Sequence, residues 1–165
     1  MRDLTGRYGC VSTGTSLADL AIDRFESSIF NHAFLVVDAN GSLIEATPQG
    51  VRHGNLGEYA KHPVVLNTGE DMTDAQRALV ALTANGYVGR KYGWDDILRL
   101  GLSHFGLHVR WLDHHVSTQM NVICSELVAE VGHAAGLDWS CGKQNLADVT
   151  PGLLAARDGM EPYTP

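Results

Sequence analysis

The chain has 165 residues, and 12 Lys and Arg against 19 Asp and Glu leave a formal charge of −7 with histidine neutral. That length suits a single domain over residues 1–165 with a sizeable core, and 44% hydrophobic content with 18 glycines fits neither a disordered nor a collagenous chain. The acidic balance, with nothing more basic than Arg90-Lys91, argues against nucleic-acid binding, and no apolar run approaches the ~20 residues of a membrane span.

In chain order, Tyr8–Ser12 reads as a short strand, and Ser16 with Asp19 opens a short helix carrying Leu17, Leu20 and Ala21 on one face. His32–Asp38 and Ser42–Thr47 are rich in β-formers and flank Asn40-Gly41, a strong hairpin signal. Val51–His53 and Val64–Asn67 add two strands. Thr73 with Gln76 forms a capping box, and the following helix places Ala78, Leu79 and Leu82 on one face and stops at Gly86. Asp95–Leu102 reads as a short helix. Cys124–Ala135 is amphipathic, with Leu127, Val128, Val131, Ala134 and Ala135 at helical spacing and Gly136 closing it. Thr150-Pro151 caps a last short helix to about Arg157. Clustered strands flanked by helices predict an α+β fold.

Three cysteines, Cys10, Cys124 and Cys141, are odd in number and widely spaced, so neither a disulfide framework nor a CxxC zinc site is expected. Cys124 falls at a helix start, where unpaired N–H groups and about half a positive charge stabilise a thiolate and can hold an oxyanion. The alternative is a small buried hydrophobe. A thiolate nucleophile also needs a base held by a third group, and the hairpin offers both. With an even loop, Glu45, Thr47 and Gln49 share a face with His32, Phe34 and Val36. A two-residue loop puts Gln49 opposite His32; a four-residue loop puts Thr47 there and Glu45 one diagonal away. A bulged loop would send Glu45 to the other face. A histidine opening a strand is otherwise more often a satisfied structural residue than a catalyst.

Taken together, Asn31–Val37, Leu43–Val51, Tyr92-Gly93-Trp94, Ile123–Val128 and Val149–Gly152 resemble the circularly permuted NlpC-like cysteine hydrolases of the papain fold. The histidine hairpin (32–47) precedes the cysteine helix (124–135), the permuted order also seen in lecithin:retinol acyltransferase-like proteins. The resemblance runs from about Tyr8 to about Leu154. It implies a central, mostly antiparallel sheet with the cysteine helix packed against it. It further implies Cys124 as nucleophile, His32 as general base and Glu45 as the third residue, with Gln49 the other candidate for that place. Tyr92, Gln49 and Ser125 become candidate oxyanion or substrate contacts, although Ser125 and Glu126 also read as capping and surface residues. Ile123 stands where unpermuted relatives carry an acid.

The expected activity is amide hydrolysis through an acyl-enzyme, with a cell-wall peptide as the substrate class, as in a peptidoglycan endopeptidase or amidase. Two other readings stand beside it: an acyl hydrolase or acyltransferase on lipid esters or thioesters, and a non-catalytic binding or virion-structural module. No metal or organic cofactor is expected. His104, His108, Asp113, His114 and His115 crowd one stretch, but Gly106 interrupts it and no HExxH pattern occurs. An insertion bordering the cleft is the simpler account. Trp94 and Trp111 read as core residues or cleft lining, Cys10 and Cys141 as structural. Met1–Gly6 has no signal-peptide core. The chain is therefore expected to be cytoplasmic when made, and a wall-cutting enzyme of this kind to be phage-borne, released by lysis or delivered by a machine.

Overall fold

Apolar residues in the first half of the chain lie down as strands because their β-branched and aromatic side chains suit a pleated, buried surface. The structure, a computed structural model, describes residues 3–13, 28–47, 49–92, 121–122 and 124–164. Strands β1 (Tyr8–Val11), β2 (His32–Val36), β3 (Ser42–Thr47), β4 (Gly50–Asn55), β5 (Val64–Asn67) and β8 (Met160–Tyr163) form an antiparallel sheet in the order β4-β3-β2-β1-β5-β8. A separate parallel pair joins β6 (Lys91–Tyr92) to β7 (Asn121–Val122). The helices are α1 (Asp74–Asn85), α2 (Cys124–Ala134) and α3 (Pro151–Ala155). The result is a mixed α+β architecture. The predicted helix from Ser16, the Gly93-Trp94 motif, the helix at 95–102, the His104–His115 stretch and Trp111 lie outside the described residues.

Strand alternation separates two cores. Tyr8, Cys10, Ala33, Leu35, Ile44 and Ala46 face α2, packing with Leu127, Val128 and Val131. Val11, Phe34, Val36, Leu43, Val64 and Leu66 form the other face, covered by Leu4 and Leu56. Leu127, Val128 and Val131, fully buried, each contribute about 1.5–3 kcal/mol by leaving water, and this holds the cysteine helix against β2. Gly9 in β1 is opposite Phe34; a Cβ there would lie 2.5 Å from the Phe34 ring. Its absence lets that ring lie across the sheet.

The β2–β3 pairing sets Phe34 opposite Glu45, Leu35 opposite Ile44 and Val36 opposite Leu43. Val37 donates to Ser42, leaving Asp38–Gly41 as a four-residue connection. Asp38 closes the turn by accepting from Asn40 and Ser42, and Gly41 takes the φ of +82° that glycine accommodates. This is the even, four-residue register.

Several sequence expectations require correction. The buried residues of α1 are Val80 and Ala84, whereas Ala78 is exposed, Leu79 is 40% exposed and Leu82 70%. The apolar pattern of that helix fits two faces, and packing on β2 and α2 selects the one with the smaller residues. In α2, Ala134 is exposed, and Ala129 and Gly132 are buried instead. A Cβ on Gly132 would meet Trp139 at 2.4 Å, so glycine there admits the indole. The edge strand β8 and the short β6–β7 pair carry no clear alternation and were not anticipated. Thr73 and Gln76 do form the capping box, and Thr150 caps α3 with Pro151 at its start.

Candidate active site

Cys124 is the first residue of α2 and is buried, at 4% exposure. Its helix packs on the sheet face lined by Leu35 and Ile44, while His32 and Glu45 take the parity of the opposite face. They meet because His32 opens β2, at the end of the sheet, where a side chain can reach either layer. The approach to His32 is pinned: the buried Asn31 donates its N–H to the Val11 carbonyl, and its side-chain oxygen accepts from the Thr13 backbone at 3.0 Å.

His32 Nε2 lies 2.7 Å from Glu45 Oε2, the diagonal contact expected for this register. With Nε2–H donated to the carboxylate, Nδ1 is the nitrogen left for Cys124, with whose thiol the imidazole also interacts. The histidine thus stands between the sulfur and the carboxylate. Burial by itself pushes the imidazole down, but Cys124 and Glu45 together outweigh it and raise His32 to about 10. The ring is therefore held in its cationic form at neutral pH.

Glu45 is 1% exposed. Burial pushes its carboxyl up, yet His32, Tyr59 and Arg52 outweigh that and keep it below its ordinary value. Tyr59 donates its hydroxyl to Oε2, the same oxygen that receives His32. Arg52 lies directly across the β3–β4 pair and brings Nη2 to 2.5 Å from Oε1. Arg52 also bonds Glu58 Oε2 at 2.9 Å. Tyr59 and Glu58 both belong to a 3-10 turn, Leu56–Tyr59, capped by Asn55.

Of the residues singled out from sequence, Cys124, His32 and Glu45 come together. Tyr92 lies in β6, whose backbone runs beside Val122, two residues before Cys124. Gln49 is exposed in the turn between β3 and β4, beyond the residues paired with β2. The register therefore gives Glu45, and not Gln49, to His32. Ser125 is corrected as a side-chain contact for substrate and as a surface residue. It is 2% exposed and donates its hydroxyl to the Val149 carbonyl at 2.6 Å, tying α2 to the segment before α3. What Ser125 can still offer a ligand is a backbone N–H in the first turn of α2.

Sequence reasoning missed Tyr59 and Arg52. Both left a signal: Asn55 followed three residues later by Glu58 is a capping-box pattern, and Arg52 is the cross-strand partner of Glu45 once Thr47 pairs Gly50. Elsewhere, Cys10 is buried in the core and Cys141 is half-buried with a φ of 53°, and neither is in a disulfide. Burial pushes the Cys141 thiol up. Among the described residues, no group of three or more His, Cys, Asp or Glu is arranged to hold a metal ion, and no helix is long and apolar enough to cross a membrane.

Comparison of the chain with protein-family models and with curated proteins finds no match, so the functional reading is carried by the geometry of Cys124, His32 and Glu45.

Proposed function

We propose that this protein is a cysteine hydrolase of circularly permuted papain-like architecture that cleaves an acyl bond through a thioester intermediate. A single observation carries the proposal: His32 is hydrogen-bonded to the buried Glu45 and interacts with the Cys124 thiol. That is the order nucleophile, base and orienting group demanded by covalent acyl transfer.

The chemistry follows from the two faces of the imidazole. Glu45 accepts Nε2–H and favours the cationic ring, so His32 takes up the Cys124 proton as the sulfur becomes the attacking thiolate. The thiolate adds to a carbonyl carbon, and the backbone N–H groups at the start of α2 face the oxyanion that forms. His32 Nδ1–H then protonates the departing amine or alcohol as the C–N or C–O bond breaks. Water loses a proton to the neutral imidazole and attacks the thioester, releasing a carboxylic acid and returning Cys124 and His32 to their starting state. No metal is needed to close this cycle. The resemblance of the histidine and cysteine motifs to permuted NlpC-like hydrolases favours an amide in a cell-wall peptide as the substrate.

The test is alkylation by iodoacetamide between about pH 5 and 9, with the labelled thiol located by mass spectrometry, since the thiolate is the reactive form. The expected result is selective labelling of Cys124 at about pH 6, slowed at least tenfold in His32→Ala. Labelling of Cys124 no faster than Cys10 and Cys141 would overturn the proposal. Incubation with purified muropeptides and with acyl-ester probes then decides the substrate: cleavage of muropeptides supports the amide reading, and turnover of the esters alone replaces it with lipid-ester chemistry.

A further inference from the structure

We propose that Tyr59 and Arg52 are positioning residues that clamp the Glu45 carboxylate, one on each oxygen, keeping it ionised and aimed at His32. This inference rests on the catalytic reading above and deepens it by naming what sustains the orienting acid.

A buried carboxylate with one partner is unstable as an anion, because removal from water favours its neutral form. Protonated, Glu45 would cease to favour the imidazolium, and His32 would be a weaker acceptor for the Cys124 proton. The structure places two further groups against this outcome. Tyr59 donates to Oε2 beside the His32 contact, and Arg52 forms an ion pair with Oε1 at 2.5 Å. Oε2 thus takes two hydrogen bonds, while buried Oε1 accepts none and has the Arg52 charge as its partner, so the carboxylate is approached from β2, β4 and the 3-10 turn.

The clamp is itself held. The Tyr59 ring stacks on Phe34 with centroids 5.5 Å apart and planes 13° from parallel. Phe34 is the cross-strand neighbour of Glu45, so a ring stacked on it carries its hydroxyl to the carboxylate. His62 meets the same ring edge-on at 6.5 Å and bonds the Ser12 carbonyl at 3.2 Å. On the other arm, Glu58 Oε1 accepts the Asn55 N–H at 2.9 Å while Oε2 grips Arg52. One capped turn thus delivers Tyr59 and anchors Arg52 together. Gly54 leaves the passage open: a Cβ there would lie 3.2 Å from Glu45 Oε1 and from Glu58 Oε1. The charged and titratable groups around Glu45 are His32 from β2, Arg52 from β4 and Tyr59 from the turn, with Glu58 beyond Arg52, His62 beyond Tyr59 and Cys124 beyond His32.

A packing role and a positioning role predict different observables. If Tyr59 only packs, Tyr59→Phe keeps the ring on Phe34 and changes nothing at the site. If it positions Glu45, the same change removes a donor to the anion, and Glu45 takes up its proton at higher pH. Arg52→Met acts in the same direction by removing a positive charge, and Arg52→Lys restores the charge.

The experiment follows the His32 ring resonances by NMR across the acid range in the wild-type chain and in Y59F, R52M and R52K. The lower inflection reports Glu45 losing its charge. It is expected to move up by about one pH unit in Y59F and in R52M, the size typical of losing one close partner, and back toward wild type in R52K. The acid limb of Cys124 alkylation should move with it. Arg52 is half exposed, with 48% of its side chain open, so R52M keeps the fold and carries the test even where Y59F does not. An inflection unmoved in folded R52M overturns the clamp, whether or not Cys124 is the reactive thiol. If Cys124 is instead unreactive in the wild type, the catalytic reading fails, and the His32 inflection still decides the clamp.

Discussion

The pairing of His32 with Glu45 predicts a pH-dependent coupling energy of definite sign. The rise of His32 from its ordinary 6.5 to about 10 corresponds to about 5 kcal/mol favouring the protonated ring in the folded state. Cys124 and Glu45 both act against the opposing effect of burial, and a charge-assisted hydrogen bond of the Glu45 kind contributes about 2–3 kcal/mol. His32 has only 16% of its side chain exposed and Glu45 1%, so screening by water and salt is weak at this pair. Because the folded value lies above the unfolded one, the stabilisation from His32 is fully present below pH 6.5 and is lost as pH rises through about 10. The assay is a double-mutant cycle of His32→Gln and Glu45→Gln, with stability from urea unfolding at about pH 6 and about pH 10.5. The cycle cancels the other groups that titrate in alkali. The expected coupling is about 2–3 kcal/mol at the lower pH and less than half of that at the higher. A coupling below about 0.5 kcal/mol at pH 6, or one equal at both pH values, would refute the ion pair as the source of the raised histidine.

Gly132→Ala should lower stability by about 1–3 kcal/mol through overpacking, because its Cβ would fall 2.4 Å from the Trp139 ring; an unchanged urea midpoint would show that the indole is not seated there. On α1, Val80→Ala should cost about 2 kcal/mol and Leu82→Glu less than about 0.5 kcal/mol, since Val80 is fully buried and Leu82 is 70% exposed. The reverse ranking in thermal unfolding would return the inner face of that helix to Leu79 and Leu82.

Much of the local structure was legible along the chain. The hairpin strands, the Thr73 and Thr150 caps, the Gly136 stop and the amphipathic run after Cys124 are set by short-range rules of turn, cap and periodicity. So was the candidate pair of Cys124 and His32, because the position of a cysteine at a helix start is visible in one dimension. The face of α1 was not. Val80 and Ala84 share a helical face as naturally as Leu79 and Leu82 do, and hydrophobicity alone favours the larger leucines. Only the close approach of α1 to α2 and β2, which small residues permit, decides between them. β8 has no alternation of its own and becomes a strand because β5 offers it an unpaired edge.

The sequence by itself determined an acidic α+β chain with a thiol at the start of one helix, a histidine at the start of one strand and a carboxylate near it on the next. The tertiary structure decided between Glu45 and Gln49. A four-residue turn, set by Asp38 and Gly41, puts Glu45 within 2.7 Å of His32 and leaves Gln49 in an exposed turn. It also decided that Glu45 is met by Tyr59 and Arg52, residues distant from Cys124 in sequence and invisible as a group until β4 folds back on β3. The physical reason is that charge placement in a low-dielectric interior depends on distances of a few ångströms. Those distances are set by register and packing, which no local pattern encodes.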